Sequence, residues 1–366
     1  MKQTILQSKH DILKAKMTDF QGWQIPLQYS DVQDEYHAVR GAAGLFDISY
    51  VGRIEVSGSG ATSMLQSIVT WNISKIPEGS THYGLICNDS GSILDDTFIF
   101  HLIAANSPGS RYLLTSNAAN TEKILSWLKE HAGNDVQVDD RSQETAHLSL
   151  QGPHSLRILE KLAGPNFKKL RPGSVREMTT GNIGVLVSRN GYTGERGYEF
   201  IVSADRANEL WDTILNAGSN AGILPCGFAS RDILRIEMGY LMYGNDMDET
   251  RTPIEAGLSG FIDFKKQFIG KEPLLRLKSE GPKQKLAGFV LLDKGIPKGG
   301  GSIFSENREV GVVTSGTHSP HLRKGIGLGY LVSRYAQSGQ EIEIEVRDRE
   351  IAAKVVDLPF FRKKSG

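Results

Sequence analysis

"EIEIEVRDREIAAKVV", residues 341–356, opens with glutamate and isoleucine in strict alternation. A period of two sends Ile342 and Ile344 to one face of a strand and Glu341, Glu343 and Glu345 to the other. Working outward, "LAGFVLL", "EVGVVTSG" and "GIGLGYL" repeat the strand signal between glycine-containing turns, and almost nothing in this stretch has helical spacing. The last third therefore reads as a small β-barrel or sandwich. It is preceded by "KSEGPKQK", residues 278–285, whose charge, glycine and proline suit a linker.

Upstream of that linker, helices and strands are mixed. In "NTEKILSWLKEHAG" Ile124, Leu125, Trp127 and Leu128 form a stripe, Asn120 suits a cap and Gly133 a terminator. "GPHSLRILEKLAG" places Pro153 in the favoured first position and ends at Gly164, and "ANELWDTILNAG" ends at Gly218. The segments "RYLLTS", "GVLVSR" and "GYEFIVS" between them are strand-like. Separated helices and short strands, without a regular βαβ rhythm, predict an α+β fold.

Bulk properties exclude several classes of function. The 366 residues suit two or three domains, and 39% hydrophobic with 23% charged content is ordinary for a soluble globular chain. Lys+Arg and Asp+Glu each total 42, so no net field draws in nucleic acid or an anionic membrane. Cys87 and Cys226 are the only cysteines, which argues against a disulfide framework, a structural zinc or an iron–sulfur site. The N-terminus lacks a signal-peptide core, and no apolar run is long enough to span a bilayer, so a cytoplasmic location is expected.

The chemistry-bearing residues gather in a few places. In "GSILDDTFIF", residues 91–100, alternation puts Asp95 with Ile93, Thr97 and Ile99, and Asp96 with Leu94, Phe98 and Phe100. An ionised carboxylate among such neighbours needs a partner, a proton or the mouth of a cavity. In "SRNGYTGERGYEF", residues 188–200, glycines at 191, 194 and 197 suit a tight turn into a strand where Glu199 points away from Tyr198 and Phe200. "CGFASRD" then leads into the helical "RDILRIEMGYLMYG", opened by Arg231 and Asp232. The glycines of "SGSGAT" and "GIGLGY" fit neither a phosphate loop nor a dinucleotide fingerprint. His318 and His321 of "HSPH" lack a nearby third metal ligand.

Taken together, "DFQGWQIPLQYS", "HAVRGAAGLFDIS", "CNDSGSILDD", "SNAANTEK", "LQGP", "GYTGERGYE", "RDILRIEMGYLMYGNDMDE", "TPIEAGL", "FIGKEPL", "GTHSPHL" and "LPFFR" resemble the tetrahydrofolate-dependent aminomethyltransferases, the T-proteins of the glycine cleavage system. The resemblance runs nearly end to end. It implies a three-domain cloverleaf: residues 1–51 with 141–277 as a discontinuous folate-binding domain, 52–140 as an inserted domain carrying the catalytic Asp, and 286–366 as the C-terminal barrel. It also implies that Asp96 is the catalytic carboxylate, that Glu199 binds the pterin edge and Arg231 the acidic part of the folate, and that Tyr83, Asn117, Tyr192 and Tyr240 line the site. Tetrahydrofolate would be the cosubstrate, a lipoylated carrier protein (H-protein) the partner, and no metal, nucleic acid or membrane would be required.

The implied reaction moves a methylene from an aminomethyl group on a dihydrolipoyl thiol to tetrahydrofolate, releasing ammonia. One partly desolvated carboxylate can stabilise the developing cation and pass protons, worth on the order of a hundred- to ten-thousand-fold in rate. An ionised Glu199 can accept two parallel N–H bonds from an amino-amide ring edge. The chain departs from the usual family text at Tyr50, Val51, Trp71 and Asn72, and in "LRPGSVREM". A related one-carbon transferase or demethylase with another donor, and a folate-binding accessory protein without turnover, stay open at this stage.

Overall fold

The computed structural model describes residues 1–103, 109–164, 167 and 170–363. The last three residues of the 286–366 expectation lie outside this range. The chain divides into two compact units: Met1–Gly84 with Asp95–Arg231, and Leu85–Leu94 with the chain from Asp232 onward.

Besides a small sheet of Lys2–Gln3, Trp23–Gln28 and Lys16–Phe20, the first unit is built on two larger sheets. One has six strands, in the order Val175–Thr180, Ile183–Ser188, Gly197–Ser203, Thr145–Gln151, Ala43–Asp47 and Ile223–Pro225. Neighbours are antiparallel except the last, which runs parallel to Ala43–Asp47. Alternation splits each strand between two environments. Leu148, Leu150, Tyr198, Phe200 and Val202 point to one face, where they pack with Ile158, Leu159, Leu210, Trp211 and Ile214. Those last residues belong to helices Ser155–Ala163 and Ala207–Gly218, whose apolar spacing the sequence displays. Each such side chain contributes about 1.5–3 kcal/mol on full burial.

The opposite face of the same strands is polar. In the register Ser149↔Glu199 and Gln151↔Gly197, the residues His147, Ser149, Gln151 and Glu199 share it. The second sheet runs in the order Ser80–Cys87, Ile93–Leu102, Ser110–Ser116, Gly52–Gly58 and Gln137–Asp140. Its Phe98, Phe100, Leu102 and Leu113 cluster with Val175, Leu186 and Ile201 of the first sheet. Phe98 and Phe100 are the residues that alternate with Asp96, so the Asp96 side of that strand is turned toward the polar face carrying Glu199.

The second unit contains a closed barrel in the order Gln284–Leu291, Lys324–Val332, Arg308–Ser319, Ser302–Ser305, Glu341–Glu345 and Glu350–Val356. Ile342 and Ile344 point into its core with Phe289, Leu291, Ile303, Leu331 and Val355, as their alternation requires. A Cβ on Gly327 would lie 2.5 Å from the Phe289 ring, so the core packs directly on that bare backbone. Nearby, the buried Arg235 bonds Asp232 at 2.7 Å and Ser315 at 2.9 Å, and also pairs with Asp246.

Several element boundaries differ from those read in the sequence. The expected linker is short, because helix Lys271–Glu280 continues through Lys278 and strand Gln284–Leu291 begins soon after. The helix expected from Arg231 starts earlier and ends earlier, at Phe228–Glu237, and the following glycine, Gly239, takes a positive φ of 68°. Pro153 precedes the helix Ser155–Ala163 rather than occupying its first position. Helix Thr121–Glu130 stops before Gly133, and Asn120 at its start makes no capping bond because its side chain is engaged elsewhere.

Candidate active site

The carboxylates of Asp95 and Asp96 face opposite ways from one strand, and a single amide ties them together. Asn117 follows the neighbouring strand Ser110–Ser116, and its Nδ2 donates to Asp95 Oδ1 and to Asp96 Oδ1, each at 2.7 Å. Asp95 is fully buried; its Oδ2 accepts from the Asn117 backbone N–H at 3.0 Å and its Oδ1 from Asn120 Nδ2 at 2.9 Å. Asp96 is half-buried and accepts in addition from the Tyr83 hydroxyl. Asp95 is therefore held on both oxygens by protein donors. Asp96 is the member of the pair that retains exposure.

Burial pushes both carboxyls above the usual range. For Asp95 the desolvation is reinforced by the charge of Asp96 and opposed by the amides of Asn120 and Asn117, and the result is about 7. For Asp96 desolvation raises the value against the pull of Asn117 and Tyr83. Tyr83 itself is pushed well up, first by burial, then by Asp96, with a further contribution from the phenol of Tyr192. It keeps its proton and donates. Its ring also meets Phe98 edge-on at 5.5 Å.

Glu199 lies at the centre of the polar face of the six-stranded sheet. It is 9% exposed, and among the described residues its carboxylate has no hydrogen-bond donor; the basic group beside it is His147, with Nε2 at 3.4 Å. His147 is 1% exposed, and neither of its ring nitrogens has a hydrogen-bond partner in good geometry. A nearly dry carboxylate beside an unsatisfied imidazole is costly unless something else completes the set.

The loop before Glu199 is held by two side chains. Gln151 accepts from Thr193 Oγ1 at 3.0 Å and donates to Ser149 Oγ at 3.0 Å and to Asn190 O at 3.2 Å. It sits so close that a Cβ on Gly191 or Gly197 would come within 2.2 Å or 2.1 Å of its amide oxygen, which accounts for the bare backbone at both positions. Arg40 Nη1 donates to Thr193 O at 2.6 Å and to Glu195 at 3.0 Å. On this loop Tyr192 stacks under the guanidinium of Arg231, 4.6 Å from its ring centre.

Arg231 rides on the helix Phe228–Glu237, and the start of that helix is anchored by Glu35. This fully buried carboxylate accepts from Gly227 N at 2.8 Å and Ser230 Oγ at 3.2 Å through one oxygen. Its other oxygen accepts from Tyr29 N at 2.6 Å and Ser30 N at 3.0 Å. The structure thus groups Asp96 with Asn117 and Tyr83, and Arg231 with Tyr192, and places Glu199 on the facing sheet. Tyr240 belongs to the second unit, where it is 37% exposed. Trp71, one of the departures from the family text, stacks on His82 at 3.9 Å.

Four residues of this assembly have no part in the site as read from the sequence. His147 is a histidine in the otherwise apolar or small "AHLSL", and an unexplained polar residue inside a strand is the signal that marks it. Gln151 sits in the quoted "LQGP" but carries no role there. Glu35 and Asn120 look like ordinary helix residues, and only the tertiary fold brings them to Gly227 and Asp95.

Residues 6–266 match the "GCVT N-terminal domain", and residues 284–362 match the "Glycine cleavage T-protein C-terminal barrel domain". The chain belongs to the glycine cleavage T-protein family. It is 43% identical to an aminomethyltransferase of Halothermothrix orenii, over 98% of this chain and all of that one, and 39% identical to an aminomethyltransferase of Bacillus subtilis, over 99% of this chain and all of the relative. The crystal structure of the glycine cleavage system aminomethyltransferase T from Bartonella henselae superposes with a TM-score of 0.91 at 30% identity, covering 98% of both chains. The T-protein fold is therefore that of an α+β chain ending in a closed barrel. Among the described residues no helix is long and apolar enough to cross a membrane, and no group of three or more His, Cys, Asp or Glu is arranged to hold a metal ion.

Proposed function

We propose that Asp96 is the carboxylate that handles the charge and the protons of aminomethyl transfer, and that Glu199 receives the pterin edge of tetrahydrofolate. As a T-protein the chain is an aminomethyltransferase that passes one-carbon units by way of tetrahydrofolate. The observation that carries the residue assignment is the bridging amide of Asn117: Asp95 is fully buried and bonded on both oxygens by Asn117 and Asn120, whereas Asp96 stays half-buried beside Tyr83.

Glu199 fits the cosubstrate because it is a nearly buried acceptor with no hydrogen-bond donor among the described residues. Two parallel N–H groups on a flat ring would supply them. Arg231, stacked on Tyr192, presents a cation to the acidic part of the same molecule, and with Tyr83 and Asn117 these residues complete the wall. Tyr240 belongs to the proposed lining by its place in the family motif alone. When bound, tetrahydrofolate supplies the nitrogen that accepts the methylene.

Asp96 stabilises positive charge as it develops nearby and takes up or returns a proton, tasks favoured by a raised pKa and a water-poor setting. Tyr83 and Asn117 donate to Asp96 and hold its oxygens in place. The three-lobed division at residues 52, 140 and 286 and a lipoylated carrier protein as donor belong to the same proposal. The five-stranded sheet lying within 52–140 supports the former and family membership the latter.

The test is single-turnover formation of methylenetetrahydrofolate and ammonia from tetrahydrofolate and an aminomethylated lipoyl carrier. Enzyme-dependent product supports the reading. Absence of product with tetrahydrofolate still bound would assign the chain another donor, and absence of binding would remove Glu199 and Arg231 from their roles.

A further inference from the structure

A groove of about 900 Å³ opens on the barrel, lined by residues from three segments: 292–298, 318–325 and 346–351. Strand directions bring these together. Gln284–Leu291 ends where the first segment begins, Arg308–Ser319 turns into Lys324–Val332 through the second, and Glu341–Glu345 turns into Glu350–Val356 through the third. All neighbours in the closed sheet are antiparallel, so these connections lie at one end of the barrel. Barrel mouths are a recurrent place for ligands, and the volume is in the small-molecule range.

The rim is cationic. Lys294, Lys298, Arg323, Lys324, Arg347 and Arg349 line the groove, and Asp293 is the one acid among the lining residues. None of these cationic side chains makes an ion pair or hydrogen bond among the described residues. Such clustering is unexpected on a chain with a formal net charge of +0, because surfaces normally intersperse the two signs. Arg347 and Asp348 have φ of 51° and 59°, the paired left-handed residues of a two-residue hairpin turn, which puts Arg347 at the hairpin tip. Beneath the charges the lining is apolar: Leu292, Ile296, Val346 and Ile351, with Leu292 48% and Ile296 47% exposed.

We infer that this barrel groove is a binding site for a small organic polyanion, one that presents several phosphates or carboxylates to the cationic rim and an apolar body to the floor. Converging Lys and Arg favour multivalent anions over single charges, and Arg in particular grips carboxylate and phosphate in pairs of bonds. The concave shape and apolar floor favour a small molecule over an extended nucleic acid, which would require a longer track of cations. No residue of the groove belongs to the candidate active site.

The experiment is calorimetric titration of the full chain at about 0.15 M salt with ATP, inorganic tripolyphosphate and a tetraglutamate peptide, repeated for Lys298→Glu/Arg349→Glu and for the milder Lys298→Gln/Arg349→Gln. Melting curves establish that the variants are folded. At least one probe is expected to bind below about 0.1 mM, weakening tenfold or more in the charge-reversed variant and less in the neutralised one. Binding of ATP or tripolyphosphate alone identifies phosphate as the anion, and binding of tetraglutamate alone identifies carboxylate. The inference is overturned if no probe binds more tightly than about 1 mM, or if folded variants bind as the parent does. It is also overturned if only a lipoyl carrier protein or an oligonucleotide binds and loses affinity on charge reversal, because the groove would then be a macromolecular surface.

Discussion

His147 Nε2 stands 3.4 Å from Glu199 Oε2, on the same face of adjacent strands. Among the described residues the imidazole is the one basic side chain within 4.0 Å of that carboxylate, and it lies too far away for a strong bond. His147→Leu is expected to raise the KM for tetrahydrofolate about three- to tenfold while kcat changes little, because the loss falls on binding common to ground and transition states. His147→Gln should recover part of the affinity. In a double-mutant cycle with Glu199→Gln, which by itself is expected to weaken folate binding, the two effects should be strongly non-additive. Additive effects would show that His147 does not act through Glu199.

Asp96→Asn keeps the size of the side chain and an acceptor for Asn117, so the fold and the folate affinity should persist. Turnover should fall by about a hundred- to ten-thousand-fold. Single-turnover kinetics with equilibrium binding in parallel reads both quantities. A variant turning over near the parental rate would take Asp96 out of the chemistry.

The raised pKa of Asp95 has a consequence for stability. The folded value of about 7 exceeds the ordinary value near 4, so between these limits the folded state holds more protons than the unfolded one. Stability from this group is present below about pH 4 and is lost as pH rises toward 7. Asp95→Asn should flatten that fall in denaturant midpoints measured from pH 4 to 8. At acid pH it should cost about 1–3 kcal/mol, because a carboxamide offers one acceptor oxygen where the carboxyl offers two, so either the backbone N–H of Asn117 or the side-chain amides of Asn117 and Asn120 lose their acceptor. An unchanged pH slope would mean that Asp95 is ionised throughout.

Glu35 is expected to be structural rather than chemical. Glu35→Ala leaves the N–H groups of Tyr29, Ser30 and Gly227 without their acceptor, and should destabilise the fold by about 3–5 kcal/mol by chemical denaturation. Where the variant remains folded at low temperature, Arg231 should be misplaced, and KM for tetrahydrofolate should rise more than kcat falls. A cost under about 1 kcal/mol would show that the start of that helix is held by other contacts.

Elements whose side chains are sorted by period were legible from residues alone. The Glu341–Glu345 strand and the Ala207–Gly218 helix have one wet and one dry face, and each emerges within those bounds. Boundaries governed by distant partners were not. Asn120 looks like a cap, yet its amide reaches Asp95 across the unit, and a buried carboxylate is the stronger claimant. Asp95 and Asp96 are indistinguishable in the sequence beyond their alternation. What separates them is Asn117, whose backbone and side chain both serve Asp95 and only the side chain Asp96. His147 and Gln151 could be noticed as polar residues in a strand, but their purpose depends on the register that sets them beside Glu199 and Gly197.

The shared amide of Asn117 also makes a built-in spectroscopic reporter. Its Nδ2 protons point at two oxygens that compete for the same charge, and an amide does not itself titrate in this range. The two proton resonances of that group should therefore shift whenever a proton enters or leaves either carboxyl. Selective isotope labelling of asparagine would follow the proton inventory of the pair directly, without a change to any residue that takes part.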